Sequence, residues 1–166
     1  MPSALTPPAP VCTIGPLCTI GYQASSFEAV RDALLGAGIQ LLIDVRAVAS
    51  SRQPGFSKRL LAGGLAEAGI GYLHLQPLGT PKPGRDAVRR GDIETMRRIF
   101  LAHMQDDRAR AALAEATEAA RATSVCLLCF EREPGHCQRA LVAGMICAST
   151  TQPALHLHAE ALIGSK

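Results

Sequence analysis

The segment Ser124–Phe130 constrains this chain most. Its centre, Val125-Cys-Leu-Leu-Cys129, places apolar side chains at consecutive positions. A strand accepts that pattern only where both of its faces are covered. Gln40–Val45 is a second such run, ending in Asp44 and Arg46. Weaker strand patterns lie at Leu17–Gly21, Gly71–Leu75 and Leu155–His158. Helical patterns fall between them.

Ser25-Ser-Phe-Glu28 has capping-box spacing, and Phe27, Val30 and Leu34 share a helical face that Gly36 or Gly38 ends. Ser57 can cap a helix carrying Leu60, Leu61 and Leu65, with Gly69 at its end. Helices are expected over Ile93–His103, Arg108–Arg121 and Pro134–Cys147, the last with Leu141, Met145 and Ala148 on one face. Alternation at this spacing implies βαβ units, hence an α/β fold: three layers, with a mainly parallel sheet of about five strands and helices on both faces. Residues 1–16, which include the first copy of the duplication Cys12-Thr-Ile-Gly15/Cys18-Thr-Ile-Gly21, read as an N-terminal tail or edge extension. Residues 17–166 read as a single domain.

Residues 76–92 are rich in Pro, Gly and basic side chains and read as a loop. At about 15 residues it is longer than most connections, which favours a functional loop or lid.

The apolar fraction of 48% and charged fraction of 19% argue against disorder. With no Trp, two Tyr and four Phe, platforms for stacking single-stranded nucleic acid are scarce. A net charge of +3 permits a phosphate-bearing partner without requiring one. No apolar run approaches the roughly 18 residues of a membrane span, and Met1–Pro10 lacks the pattern of a secretory signal. A cytoplasmic setting, with the six cysteines reduced, is the expectation.

In open parallel sheets, ligands bind beyond the carboxyl ends of the strands. The residues there are the candidates for chemistry. If Pro134 opens a helix, Cys137 lies in its first turn, where the helix dipole and Arg132 and Arg139 favour a thiolate; the alternative is a small buried hydrophobe. Glu131 is either a general base or acid, or one half of an orienting ion pair. Asp44 is a further general-base candidate, or holds the following loop.

Arg46 and Arg139 are candidate anion clamps. Ser51 and Arg52, with Ser50, could cradle an anion, and Tyr22, with Gln23, could close the pocket. His74 and His136 are candidates for proton transfer or for scaffold hydrogen bonds. Lys82, Arg85, Arg89 and Arg90 could touch phosphates but are interleaved with Asp86 and Asp92, which favours a solvated surface.

Cys126 and Cys129 are three apart in a strand and point to opposite faces, so they pack rather than chelate one ion. A mixed metal site from Cys129, His136 and Cys137 is a weak alternative, and no metal is assigned. No Walker loop, G-x-G-x-x-G, His-Glu-x-x-His, G-x-S-x-G or zinc-ribbon pattern occurs, so no cofactor is expected.

Thr19-Ile-Gly-Tyr22, Leu42-Ile-Asp-Val-Arg46, the Ser/Arg loop to Phe56-Ser57, Gly69-Ile-Gly-Tyr-Leu-His74 with Leu78-Gly79, and Cys129-Phe-Glu-Arg-Glu-Pro-Gly-His-Cys137-Gln-Arg139 occur in this order. Together they resemble the domain-of-unknown-function family 488, over 17–158 of the sequence. The resemblance implies a three-layer α/β fold with the motif residues gathered at one end of the sheet, and no established reaction. The family's usual Cys-His-Arg is here Cys137-Gln138-Arg139. If that histidine carries a proton or a ligand, either the function is impaired or His136 replaces it. Adjacent helical positions differ by about 100° of rotation, so replacement is not automatic. Gln23 also stands where a small hydroxylated residue is commonly expected.

Three functions follow, in order of preference. The first is an enzyme acting on a small anionic or nucleotide-like substrate at the carboxyl end of the sheet. The second is a non-catalytic module for nucleic-acid ends or a protein partner. The third is thiol-redox or metal chemistry, ranked last because no second thiol is evidently placed to resolve Cys137.

Overall fold

The structure is a computed structural model that describes residues 14–162. Most of the expected tail, and the start of the first Cys-Thr-Ile-Gly copy, lie outside the described residues. Strands β1 (Leu17–Gly21), β2 (Leu41–Asp44), β3 (Gly71–His74), β4 (Val125–Cys129) and β5 (Ala154–Leu157) form one sheet in the order β3-β2-β4-β1-β5. Every pairing between these strands is parallel. β4 is central, with Leu127 opposite both Thr19 and Ile43.

That position explains its unbroken apolar run. Val125, Leu127 and Cys129 enter one core layer while Cys126 and Leu128 enter the other. The first layer packs against α4 (Ile93–His103), α5 (Asp107–Ala122) and α6 (Arg139–Thr150) through Met96, Phe100, Ala112, Ala116, Val142 and Ile146. The second packs against α1 (Phe27–Gly36) and α2 (Lys58–Glu67) through Val30, Leu34, Leu61 and Leu65. Helices therefore cover both faces, as expected for a buried parallel sheet.

Several local expectations are revised. The cap of α1 is Ser26, whose hydroxyl accepts from the Ala29 N–H at 3.1 Å. Ser25 is instead buried and bonded by Arg132. In α2, Leu60 is exposed while Leu61 and Leu65 are buried. The buried stripe of α6 is Arg139, Val142, Ala143 and Ile146, and Ala148 is exposed. An i, i+3, i+4, i+7 spacing describes that stripe better than the expected one.

Two revisions bear directly on function. Residues 76–92 are not an open loop: a 3-10 turn at Gln76–Leu78 leads into α3 (Lys82–Arg89), which packs on α4. Proline is compatible with a first helical turn, where its missing N–H has no intrahelical partner. Pro83 sits there. At Gly84 a Cβ would collide with the Thr80 methyl, so the glycine serves close packing rather than flexibility. The second revision concerns Pro134, which opens a 3-10 turn ending at His136, not α6. Cys137 is extended, with φ −142° and ψ 152°, and α6 begins at Arg139.

Candidate functional site

The chain leaves β1 and β2 for helices on one face of the sheet and leaves β4, which lies between them, for α6 on the other. Such divergence opens a crevice beyond the carboxyl ends of the strands. A cavity of about 610 Å³ lies there, lined by Tyr22 after β1, Arg46 after β2 and Cys129–Glu131 with His136–Gln138 after β4. The Ser50–Arg52 loop, Thr80 and the α3 residues Arg85, Val88 and Arg89 complete it. Four arginines, Arg46, Arg52, Arg85 and Arg89, therefore border the cavity with a single carboxylate, Glu131, among the described residues.

Asp44 ends β2 fully buried. Its Oδ1 accepts from Arg46 Nε at 2.8 Å and from the Arg46 N–H at 3.1 Å. Its Oδ2 accepts from Arg46 Nη2 at 2.7 Å and from the Tyr72 hydroxyl at 2.5 Å. Arg46 Nη1 donates to Tyr22 Oη at 3.1 Å and to the Phe56 carbonyl at 2.7 Å. Four of the five N–H bonds of this guanidinium are thus spent on the scaffold.

Burial works against the Arg46 charge, but the Asp44 carboxylate outweighs it and the net shift is upward. Burial, reinforced by Asp44, likewise pushes the Tyr72 hydroxyl up. Tyr22 stacks on Phe56 with centroids 4.3 Å apart and meets Phe130 edge-on at 5.4 Å. Arg46 Cζ lies 5.3 Å from the Tyr22 ring centroid. Together these groups make a rigid floor.

Arg139 is fully buried and does not line the cavity. Its Nε donates to Thr19 Oγ1 at 3.1 Å and its Nη2 to the Arg132 carbonyl at 3.1 Å. Its Nη1 contacts Cys129 Sγ at 2.9 Å and donates to the Glu131 carbonyl. It pins the β4 exit loop to β1. Burial pushes its pKa down to about 10, so the guanidinium keeps its charge at neutral pH. His74 is also scaffold, its Nε2 lying 2.8 Å from the Arg46 carbonyl.

Glu131 is half-buried on the cavity wall, and burial raises its pKa despite the opposing pull of His136 and Arg139. His136 is exposed at the rim. Ser51 lines the cavity and accepts from the Gln53 N–H at 3.1 Å. Gln53 in turn donates to the Tyr22 carbonyl at 2.8 Å, tying the Ser/Arg loop to β1. Gln23 accepts from the Arg132 N–H at 3.1 Å rather than entering the cavity.

The cysteines divide as strand geometry requires. Cys126 lies in the layer opposite Cys129, its thiol pushed well up by burial. Cys129 and Cys137 meet: both line the cavity, and their sulfurs are in contact. The absence of a second thiol near Cys137, expected from sequence, is thereby corrected. Strand and turn bring together residues eight apart. Cys137 precedes α6 in extended backbone rather than lying in its first turn, and its Sγ meets the helix N-terminus only through the Arg139 N–H at 3.5 Å. Gln138 is buried, donating to the Val45 carbonyl at 3.0 Å and accepting from the Cys137 thiol at 3.0 Å. Among the described residues no group of three or more His, Cys, Asp or Glu side chains is arranged to hold a metal ion. No described helix is long and apolar enough to cross a membrane.

The sequence places Arg85 and Arg89 on a loop and favours a solvated surface for them, whereas α3 carries both to the cavity. The signal was the four-residue spacing of Arg85 and Arg89, which a helix turns to one face, but the surrounding Pro and Gly residues masked it. Phe130, just beyond β4, and Val88 were not singled out, since an apolar side chain gives no sign of lining a cavity.

An all-parallel three-layer sheet with a cationic cleft over its central strand defines the class as an open α/β protein. Within it, the family described as Domain of unknown function DUF488 matches residues 26–146, and the chain belongs to that family. No curated protein and no solved structure gives a match to this chain.

Proposed function

We propose that this protein is an enzyme acting on a small anionic, nucleotide-like substrate bound in the cavity at the carboxyl end of the sheet, in a cytoplasmic setting. The observation that carries this reading is that two of the cavity's arginines, Arg52 and Arg85, have no carboxylate partner among the described residues, whereas Arg46 is paired with Asp44 and Arg89 with Asp86. Arg85 spends one N–H on the Thr80 carbonyl, and Arg52 is exposed at the rim, so both can receive a phosphate. Val48, Val88 and Phe130 offer an apolar side for the body of the ligand.

Glu131 serves as general acid or base, its raised pKa suiting proton transfer nearer neutrality. Asp44 acts as a positioning residue, because its oxygens already hold Arg46 and Tyr72. Arg139 also positions rather than clamps.

The test is a thermal-shift panel of inorganic phosphate, nucleoside mono- and diphosphates and uncharged nucleosides. At a hundredfold excess over Kd, a ligand stabilises by about 2.7 kcal/mol, a rise of roughly 5–11 °C for a domain of this size. Phosphorylated compounds should produce the shift, and Arg85→Ala and Arg52→Ala should abolish it. A flat panel, or a shift that survives both substitutions, refutes the reading.

A second reading, a non-catalytic module for nucleic-acid ends, draws on the exposed cations Lys82 of α3, Arg90 just after it, and Arg97 and Arg98 of α4. Arg97 reaches the 134–136 turn, its Nη2 lying 3.2 Å from the Gly135 carbonyl. Binding of this kind weakens steeply with salt and with charge reversal at those positions, while Arg52→Ala leaves it unaffected.

A further inference from the structure

We propose that Cys129 and Cys137 form a two-electron thiol site, which a small hydroperoxide entering the cavity oxidises to an intramolecular disulfide. The inference does not depend on the anionic-substrate reading, because it requires no bound anion.

The observations are geometric. Cys129 closes β4 and Cys137 follows the 134–136 turn, and their sulfurs touch on the wall of the cavity. Among the described cysteines, Cys18 and Cys126 lie in the opposite core layer, away from that cavity.

The two sulfurs have unlike surroundings. The charged Arg139 guanidinium lies 2.9 Å from Cys129 Sγ through Nη1, an arrangement that favours a thiolate. Cys137 Sγ accepts only the uncharged Arg139 backbone N–H, at 3.5 Å, and donates its S–H to Gln138 Oε1 at 3.0 Å, the Gln138 amide being itself held by Val45. Cys129 is therefore assigned as the attacking thiolate and Cys137 as the protonated resolving thiol. Thr19 and His156 extend the network behind Arg139, with Thr19 Oγ1 at 2.6 Å from His156 Nδ1, so the guanidinium is fixed from the far side.

In the first step the Cys129 thiolate attacks the terminal oxygen of the hydroperoxide. The O–O bond breaks, Cys129 becomes a sulfenic acid, and the departing alkoxide or hydroxide takes a proton from solvent. In the second step the Cys137 sulfur attacks the sulfenic sulfur. The S–O bond breaks, and the hydroxide leaves as water with the proton given up by Cys137. Two thiols lose two electrons, and one hydroperoxide becomes an alcohol, or water from hydrogen peroxide, together with one water. The Cα atoms stand 7.4 Å apart, beyond the roughly 4.4–6.8 Å usual for a formed bridge. Closure therefore draws the Cys137 segment toward β4, and His136 and Gln138 on that segment line the cavity.

The test uses the intact protein, reduced, desalted and exposed to a few equivalents of hydrogen peroxide, then blocked with an alkylating agent and mapped by peptide mass spectrometry. Trypsin cleaves after Arg121, Arg132 and Arg139, so the bridge appears as peptide 122–132 joined to peptide 133–139, with fragment ions placing the link at Cys129 rather than at Cys126 of the same peptide. The expected result is stoichiometric joining with one peroxide consumed per chain, and with Cys126 alkylated only after denaturation. In Cys137→Ser, a sulfenic-acid trap should label Cys129; in Cys129→Ser, no joined species forms. Full alkylation of both cysteines after peroxide, or linkage of either to a different cysteine, overturns the proposal. The wild-type map decides this even if a variant fails to fold. Joining with a flat anion panel removes the anionic-substrate reading alone, and anion binding without joining removes this one alone.

Discussion

Replacing Asp44 with asparagine keeps the shape of the β2 end and removes its charge. Asp44 and Arg46 have side-chain exposures of 0% and 5%, so solvent screens their interaction little. The carboxylate accepts four hydrogen bonds, two at each oxygen. An asparagine carries one acceptor oxygen, so its amide N–H₂ must face donors at the other position. Tyr72 can rotate its hydroxyl to accept, but Arg46 Nη2 cannot. The variant therefore leaves a buried guanidinium without its counter-ion and adds a donor–donor conflict.

Removing one partner of a buried ion pair costs about 3–5 kcal/mol, which lowers Tm by roughly 6–20 °C at this size. The assay is urea unfolding with the slope checked for constancy, alongside spectrophotometric titration of the tyrosines. The midpoint should fall, and the Tyr72 hydroxyl should titrate lower, since the Asp44 charge contributes to raising it. Combining Asp44→Asn with Arg46→Met should cost less than the sum of the single changes, because neither charge is then left alone. A variant within about 1 kcal/mol of wild type, a small fraction of the cost expected for a buried pair, with Tyr72 unmoved, would refute the argument that this charge holds Arg46 in place.

Glu131→Gln should melt higher than wild type at pH 8 and equally near pH 4. Burial raises the folded-state pKa above the ordinary value of 4.5, so the carboxylate costs the native state stability as pH rises beyond that value and costs nothing below it; a variant less stable than wild type at pH 8 but equal near pH 4 would reveal a favourable partner for the charge instead. Gly21→Ala should destabilise by overpacking, by about 1–3 kcal/mol or more, since its Cβ would collide with the Glu131 carbonyl and lie 2.8 Å from Arg139 Nη1. An unchanged urea midpoint would show that β1 and the β4 exit loop separate freely.

Periodicity alone made the layered α/β architecture legible. An unbroken apolar run such as Val125–Cys129 has one stable setting, a central parallel strand covered twice, and that strand pairs with both β1 and β2. Where the turns obeyed local rules, as at Ser26 and Gly69, the helix limits lay within a residue or so of expectation. Expectation failed where packing overruled local preference. The Pro/Gly-rich stretch at 81–84 became helical because α4 covers it and Gly84 admits Thr80. Pro134, a good helix opener by rule, instead turned the chain so that Cys137 met Cys129.

The candidate site divides along the same line. Which residue types gather beyond the strand ends follows from the sequence, because every parallel strand points its carboxyl end the same way. Which arginine is free and which is consumed does not. Arg46 and Arg139 look like equal anion clamps as letters, yet each spends four N–H bonds on the scaffold, one of them on a β1-side residue, Tyr22 or Thr19, that only strand order brings within reach. Local sequence sets hydrophobic period and capping within a few residues. A carboxylate two residues away, as Asp44 is from Arg46, is legible locally, but a partner such as Thr19 for Arg139 comes from a distant segment, and only the closed sheet decides it.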